Sequence, residues 1–406
     1  MVGAGAAGLA TAIFARRLGR ARVLVVDGAA RPGAKILVSG GSRCNVTNAV
    51  VTERDYWGGR RTIVRRVLSR LPVDRTIEFF AGIGVPLKVE PTGKLFPRSD
   101  RSRDVLDALL AAARAAGVEL APSTRVQQVR KTGDEFTLET SRGPLHAEAV
   151  VLATGGLSLP KTGSDGAGLG FARDLGHSIV ATTPALAPLV LQGGFNADVS
   201  GVALDVELSL WAGGRVRERI RGPMLWTHFG ISGPAALDLS RHWLRVQLEG
   251  EQPEVQASLL PEATFESVDA FWMTTARQQP RARIQAVLAT LVPSSLAASL
   301  LSHVGLDPDR PLADLTRDDR RALVRVTTAL PLPIVDSRGY NYAEATAGGV
   351  RLDEIDPGSM ESRRCPALFL VGEMLDVDGR LGGFNFQWAW ASGRTAAEGL
   401  ARRMAS

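Results

Sequence analysis

An apolar stretch with helical spacing runs from Ala7 to Leu18 and stops at Gly19, and an unbroken apolar run, Arg22-Val-Leu-Val-Val26, follows it and ends in Asp27. A helix next to a strand that is apolar on both faces is the pattern of a parallel sheet covered on two sides. Two further runs of this kind come later, Ala149-Val-Val-Leu-Ala-Thr-Gly-Gly156 and Leu368-Phe-Leu-Val-Gly-Glu373. Between them the spacing predicts a helix over Ser102 to Ala116 and strands around Arg125 to Val129 and Phe136 to Thr140. Past residue 190 the pattern changes. Alternating segments with glycine turns (Val202 to Trp211, Arg215 to Ile220, Trp243 to Leu248) predict antiparallel strands. From Pro261 the period becomes helical, over Phe265 to Gln278, Ala282 to Leu291, Ser295 to Val304 and Arg317 to Leu330. The expected organisation is a discontinuous α/β domain, 1–190 and 336–406, carrying an inserted substrate or cap domain, 191–335, with β structure over 191–260 and helices over 261–330.

Composition narrows this picture. With 406 residues, 45% of them hydrophobic, the chain can bury a sizeable core without staples, and its two cysteines, Cys44 and Cys365, cannot form a disulfide framework. That cysteine usage suggests a reducing compartment, and no stretch approaches the roughly 20 apolar residues of a membrane span. The expected location is cytoplasmic, which removes the N-glycosylation reading of Asn45-Val46-Thr47. The net charge is +6, and Arg60, Arg61, Arg65, Arg66 and Arg70 cluster on a helix whose apolar stripe is Ile63, Val64, Val67 and Leu68. A solvated face explains such a cluster first, and an anionic or nucleic-acid partner second. No metal site is expected, because His146, His177, His228, His242 and His303 lack ligand spacing.

Candidate chemistry begins at Gly3-Ala4-Gly5-Ala6-Ala7-Gly8, a G-x-G-x-x-G motif opening the first helix, with Asp27 lying 19 residues after its last glycine. Gly3 permits the tight turn, Gly5 lets backbone approach a pyrophosphate, and Gly8 allows close packing of helix and strand. The helix start at Ala6 and Ala7 offers free N–H groups to the phosphates, and Asp27 can accept from the ribose hydroxyls. Only Met1 and Val2 precede the motif where a strand of about five residues is usual, so the first strand is expected to be stunted.

The motif alone does not separate flavin from nicotinamide. The turn Ala153-Thr154-Gly155 and the late Gly372-Glu373, in that order, are similar to those of two-dinucleotide-binding flavoproteins, in which the first passes near the cofactor and the second places a carboxylate on the ribityl chain. The Gly382-Gly383 turn opens a helix at Phe384, where N–H groups can face the flavin N1 and C2 carbonyl, with Asn385 as a further contact. For Trp388 and Trp390 core packing is the favoured reading.

Five ordered motifs complete the reading: R-P-G-x-K at Arg31 to Lys35, S-G-G-x-R-C-N-V-T-N at Ser39 to Asn48, T-H-F-G-I-S-G-P at Thr227 to Pro234, A-G-G-V at Ala347 to Val350, and G-E-x-L-D-V-D-G at Gly372 to Gly379. Together they resemble the BaiN/RdsA family of NAD(P)/FAD-dependent oxidoreductases, some of whose members are labelled aminoacetone oxidases. The resemblance implies a two-dinucleotide-binding-type, Rossmann-like FAD domain, with the loop of Gly40, Gly41, Arg43, Cys44 and Asn45 lining the isoalloxazine ring, Lys35 and Ser39 among the cofactor-binding residues, and the backbone at Val126 touching the adenine. It also implies NAD(P)H as electron donor for reduction of a small organic substrate through flavin N5. An oxygen-using oxidase of a small amine and an RNA-binding flavoprotein stand as alternatives. Cys44 and His228 are the candidate catalytic side chains, although packing or structural roles are commoner for both residue types. Glu344 and Ala345 depart from the family pattern on the expected substrate side of the ring.

Overall fold

The computed structural model describes residues 1–19 and 21–405. The chain divides into two compact units, Met1–Ala185 with Ala343–Ser406, and Leu186–Tyr342.

In the first unit, Leu24–Val26 pairs in parallel with Glu119–Ala121, and Val150–Leu152 pairs in parallel with Leu368–Leu370. The stunted first strand expected from the sequence is a single residue here. Val2 bridges Val26 on one side and Leu152 on the other. Its N–H donates to Val151 and its carbonyl accepts from Ala153, so one residue joins the two strand pairs into one parallel sheet.

The first helix, Ala6–Leu18, buries every residue from Ala7 to Ala15. It ends at Gly19, whose N–H donates to the Ala15 carbonyl, with Arg16 and Arg17 placed against the negative end of the helix dipole. The long last helix, Phe384–Ala405, buries Trp388, Trp390 and Leu400, and comes so close to the first that a β-carbon on Gly393 would lie 3.1 Å from the Ala7 carbonyl oxygen. Each large apolar side chain withdrawn from water in this core contributes about 1.5–3 kcal/mol. Three antiparallel strands, Val126–Thr132, Glu135–Thr140 and Gly143–Ala147, extend the unit beyond the two expected from the pattern.

A buried polar knot ties the unit together away from the glycine-rich turns. His177 Nδ1 lies 3.0 Å from Glu354 Oε2, and its Nε2 lies 2.7 Å from Ser362 Oγ. Ser362 Oγ also accepts the N–H of Arg364 and of Cys365. With both lone pairs so used, the Ser362 hydroxyl donates to His177 Nε2, and Nδ1–H donates to the Glu354 carboxylate, a tautomer assigned from the network.

The second unit is built on a seven-stranded antiparallel sheet in the order Leu330–Leu332, Glu254–Ser258, Ala203–Ala212, Arg215–Thr227, Gly230–Ser232, Leu189–Leu191, Ile334–Ser337. Its helices include Phe265–Gln278, Ile284–Leu288, Ser294–His303 and Arg317–Thr328. One expected strand is wrong: Trp243 to Leu248 forms the end of a helix, Pro234–Leu248. Pro234 starts that helix, and its buried positions, Ala235, Ala236, Leu239, Trp243 and Val246, follow helical spacing. The apparent alternation over its last turn is that helical stripe sampled over too short a window. The strand starting at Arg215 also continues past Ile220 to Thr227.

Each unit closes its own seam where the chain passes between them. In the first, Ala185 pairs with Ala345; in the second, Leu189 pairs with Ser337.

Candidate functional site

The glycine-rich turn leads from Val2 into the first helix. Gly3 has φ +100°, and a β-carbon on it would sit 2.5 Å from the Ala153 carbonyl oxygen; one on Gly8 would sit 2.0 Å from the Gly3 carbonyl oxygen. Neither position has room for a side chain. Gly5 differs, since no atom lies within 4 Å of the place its β-carbon would take. The first N–H groups of the helix, which lack intrahelical partners, therefore adjoin open space at Gly5. Asp27 braces the turn: its Oδ2 accepts the N–H of Ala4 at 2.7 Å and its Oδ1 that of Ala29 at 2.8 Å. Each oxygen retains a lone pair for a hydroxyl donor. The Asp27 carbonyl accepts the N–H of Thr124, two residues ahead of Val126, which brings Val126 to the same end of the sheet.

The stretch Ser39 to Asn48 forms a second wall. Ala34–Ser42 is helical except at Ser39, Gly40 and Gly41, whose backbone angles leave the helix, and Cys44 follows with φ +61°. This loop packs against the Gly382-Gly383 turn. Asn48 Nδ2 donates to the Gly382 carbonyl at 3.1 Å. A β-carbon on Gly383 would lie 2.5 Å from the Thr47 carbonyl oxygen and 2.8 Å from Asn45 Oδ1. Two indoles fasten the assembly: Trp390 Nε1 donates to the Val46 carbonyl and Trp388 Nε1 to that of Gly372. Both rings are buried, so they serve as core and clamp together.

Asn45 Oδ1 is buried without a hydrogen-bond partner. An unsatisfied buried acceptor costs about 1–3 kcal/mol, and a donor such as the imide N–H of a flavin would satisfy it. Its neighbour Arg43 is engaged elsewhere, donating to Glu90 at 2.6 Å with its guanidinium 3.9 Å from the centre of the Phe96 ring. Asn385 is also occupied: its Oδ1 accepts the Gly379 N–H and its Nδ2 donates to the Gly379 carbonyl. Phe384 is fully buried, with its carbonyl accepting from the Tyr56 hydroxyl.

Between these walls lies a polar triangle whose corners come from three distant segments. Lys35 Nζ donates to Glu373 Oε2 at 2.6 Å and also to Ser158 Oγ, while Ser158 Oγ donates to Glu373 Oε1 at 2.6 Å. Thr346 Oγ1 accepts the N–H groups of Leu157 and Ser158 and so pins the turn that follows Ala153, Thr154 and Gly155. A β-carbon on Gly156 would collide with Thr346 Oγ1 at 2.4 Å and approach Glu373 Oε1 at 3.0 Å, which keeps the Thr154-Gly155 turn tight against Gly372-Glu373. The sequence motifs hold Lys35 and Glu373, but Ser158 and Thr346 lie just outside them. Their one signal is position, two residues after Thr-Gly-Gly for Ser158 and immediately before Ala-Gly-Gly-Val for Thr346.

The candidate reactive groups differ in state. Burial pushes the Cys44 thiol up to about 12, against a lowering bond with Ser39, so it stays protonated near neutrality and is a poor nucleophile. His228 belongs to the second unit, in the exposed turn between Arg215–Thr227 and Gly230–Ser232. Glu344 departs from the family pattern. It presents surface to solvent, yet protein packed round the carboxyl removes enough water to raise its pKa, against the lowering pull of Lys94 and Lys35. Lys94 in turn sits by the Gly-Gly turn, its Cε 3.7 Å from where a Gly382 β-carbon would be. Among the described residues there is no cluster of three or more metal-ligating side chains, and no helix is long and apolar enough to cross a membrane.

A family model described as the HI0933-like protein Rossmann domain matches residues 1–399. The 3-dehydro-bile acid delta(4,6)-reductase of Clostridium scindens is 34% identical over 404 residues, covering 99% of this chain and 98% of that protein. The ribosomal RNA dihydrouridine synthase of Escherichia coli is 32% identical, covering 98% of this chain and 97% of that one. Among solved structures, the open form of a flavocytochrome c3 fumarate reductase superposes with a TM-score of 0.53 at 18% identity, covering 100% of this chain and 78% of the other. A 3-ketosteroid delta1-dehydrogenase of Sterolibacterium denitrificans gives 0.52 at 14%, covering 99% and 98%. At such identities these two likenesses speak for the fold alone.

Proposed function

The chain belongs to the HI0933-like family of FAD-dependent oxidoreductases, and on that footing we propose that it uses NAD(P)H to reduce a carbon–carbon double bond conjugated with a carbonyl in a small organic substrate. The observation that carries this reading is the pair of relatives: reduction of a 3-dehydro-bile acid at delta(4,6) and conversion of uridine to dihydrouridine both saturate an alkene made electron-poor by a carbonyl. FAD, when bound, supplies a reversible hydride acceptor and donor at N5.

The residues of the chain do the rest. Gly5 and the helix start at Ala6 and Ala7 take the pyrophosphate, and Asp27 takes the ribose hydroxyls while bracing the turn that carries them. The Asn45 amide oxygen and the Gly382-Gly383 backbone hold the polar edge of the ring. The Lys35–Ser158–Glu373 triangle fixes the carboxylate that meets the ribityl chain. Desolvation raises the Glu344 pKa against the pull of Lys94 and Lys35, and its carboxyl is the group that would pass a proton to the carbon next to the carbonyl. With a single dinucleotide fingerprint in the sequence, a nicotinamide donor would have to bind at the flavin face without a Rossmann domain of its own.

The test is an absorbance spectrum followed by anaerobic addition of NADH or NADPH, then of a 3-oxo-Δ4 steroid as a representative enone. Flavin bands should bleach with nucleotide and return with the enone. Glu344→Gln should leave bleaching intact and slow the return by about 10²–10⁴-fold. Bleaching only by an amine, with return only under oxygen, would favour the oxidase reading instead.

One observation favours a second reading. Arg61 and Arg65 on the helix Arg61–Leu68 are exposed and form no ion pair among the described residues, and two relatives act on ribosomal RNA. RNA as the substrate requires binding that weakens steeply with salt, with a slope reduced by about one for each arginine removed. Binding that ignores salt discards this second reading.

A further inference from the structure

Arg338 in the second unit is held in an unusual way. Its guanidinium carbon lies 3.5 Å from the centre of the Tyr342 ring and 4.5 Å from that of Phe229. Its backbone N–H donates to the Pro188 carbonyl. Among the described residues its side chain forms neither a hydrogen bond nor an ion pair, and the two aromatic rings are its recorded side-chain partners. Strand pairing sets the position. Leu189–Leu191 is flanked by Gly230–Ser232 on one side and Ile334–Ser337 on the other, so Phe229, just before one flanking strand, and Arg338, just after the other, border the same short central strand. Tyr342 is half exposed, and on the other side the exposed His228 ring meets that of Phe229, so the bracket opens to solvent.

Two aromatic faces restrain a long side chain that would otherwise sample many rotamers, and they leave its planar fork of N–H donors unspent. We propose that Arg338 is the anchor of an oxyanion-binding site in the second unit, taking a carboxylate or phosphate group through paired hydrogen bonds. The site stands on the bracketed guanidinium and not on the reductase reading. Restraint before binding lowers the ordering cost of the complex, and a fork that meets two oxygens adds orientation to charge.

The test is calorimetric titration of the flavin-loaded protein with benzoate, phenyl phosphate and neutral benzamide. Benzoate or phenyl phosphate should bind at least about tenfold more tightly than benzamide, and which of the two binds better tells carboxylate from phosphate. Arg338→Met should lose about ten- to a hundredfold of that affinity. Arg338→Lys, which keeps the charge without the fork, should fall between, and Tyr342→Ala should weaken binding with the charge in place. Thermal melts of each variant report folding separately. Equal affinity for benzamide and the anions, or an Arg338→Met protein that binds anions like the parent, overturns the proposal. Because binding is read without turnover, failure to reduce the enone leaves this outcome untouched.

Discussion

Gly5 and Gly8 stand three positions apart in one motif and answer to different forces. Nothing lies within 4 Å of a Gly5 β-carbon, whereas a Gly8 β-carbon would meet the Gly3 carbonyl oxygen at 2.0 Å. Gly5→Val should therefore fold and melt like the parent apoprotein yet fail to retain flavin, because the new methyls occupy the space the pyrophosphate needs. Gly8→Val should be destabilised by at least about 1–3 kcal/mol. The flavin-to-protein absorbance ratio and a thermal melt separate the two. Asp27→Ala does both kinds of damage: it strands the N–H groups of Ala4 and Ala29, costing about 1–3 kcal/mol of stability, and it removes the ribose acceptor. A variant of normal stability with full flavin would refute the role given to Asp27. At this scale the motif was legible because backbone requirements leave glycine and a lone acid in fixed positions. The directions of Arg43 and Asn385 were not legible, since their partners, Glu90 with Phe96 and the Gly379 backbone, are set by tertiary packing.

Among the elements, the knot of His177, Glu354 and Ser362 sets how the first unit responds to acid. Burial lowers the His177 pKa below its ordinary 6.5, outweighing the raising pull of Glu354. The unfolded chain then takes up the proton first, so stability is full above about pH 6.5 and is lost as pH falls toward the depressed value. Protonation would also turn Nε2 into a donor and break the bond it accepts from Ser362. His177→Gln should cost about 1–3 kcal/mol at pH 7.5, measured by urea unfolding, and the gap from the parent should narrow by pH 5.5. A gap that stays constant would mean the histidine does not titrate in this window. Loss below pH 4.5 belongs instead to Glu354. Burial alone would raise its carboxyl, but the donors Ser178, His177 and Arg364 hold it low. None of this knot was visible in the sequence, where His177 is one of five scattered histidines. Periodicity over a full helix, as in Phe265–Gln278, was read correctly, while the six residues Trp243 to Leu248 were too few to tell period two from period 3.6.

For the whole molecule, the two units have separate apolar cores, one including Leu9, Ile13, Phe369 and Trp390, the other Leu208, Trp226, Trp243 and Leu300. The second unit has its own seven-stranded sheet and does not borrow a strand. Residues 186–342 expressed alone should fold cooperatively, which a single urea transition followed by circular dichroism and tryptophan fluorescence would show; a broad, non-cooperative transition would deny the unit its independence. The pairing of Ala185 with Ala345, and of Leu189 with Ser337, gives each unit a finished edge on its own side of both crossings. A chain stitched in this way behaves like a tool with an interchangeable head. An exchange at those two crossings leaves every residue of the Asp27, Asn45 and Glu373 walls in place, so on the proposed function selection could replace one unit of the molecule while the other keeps its grip on the electrons.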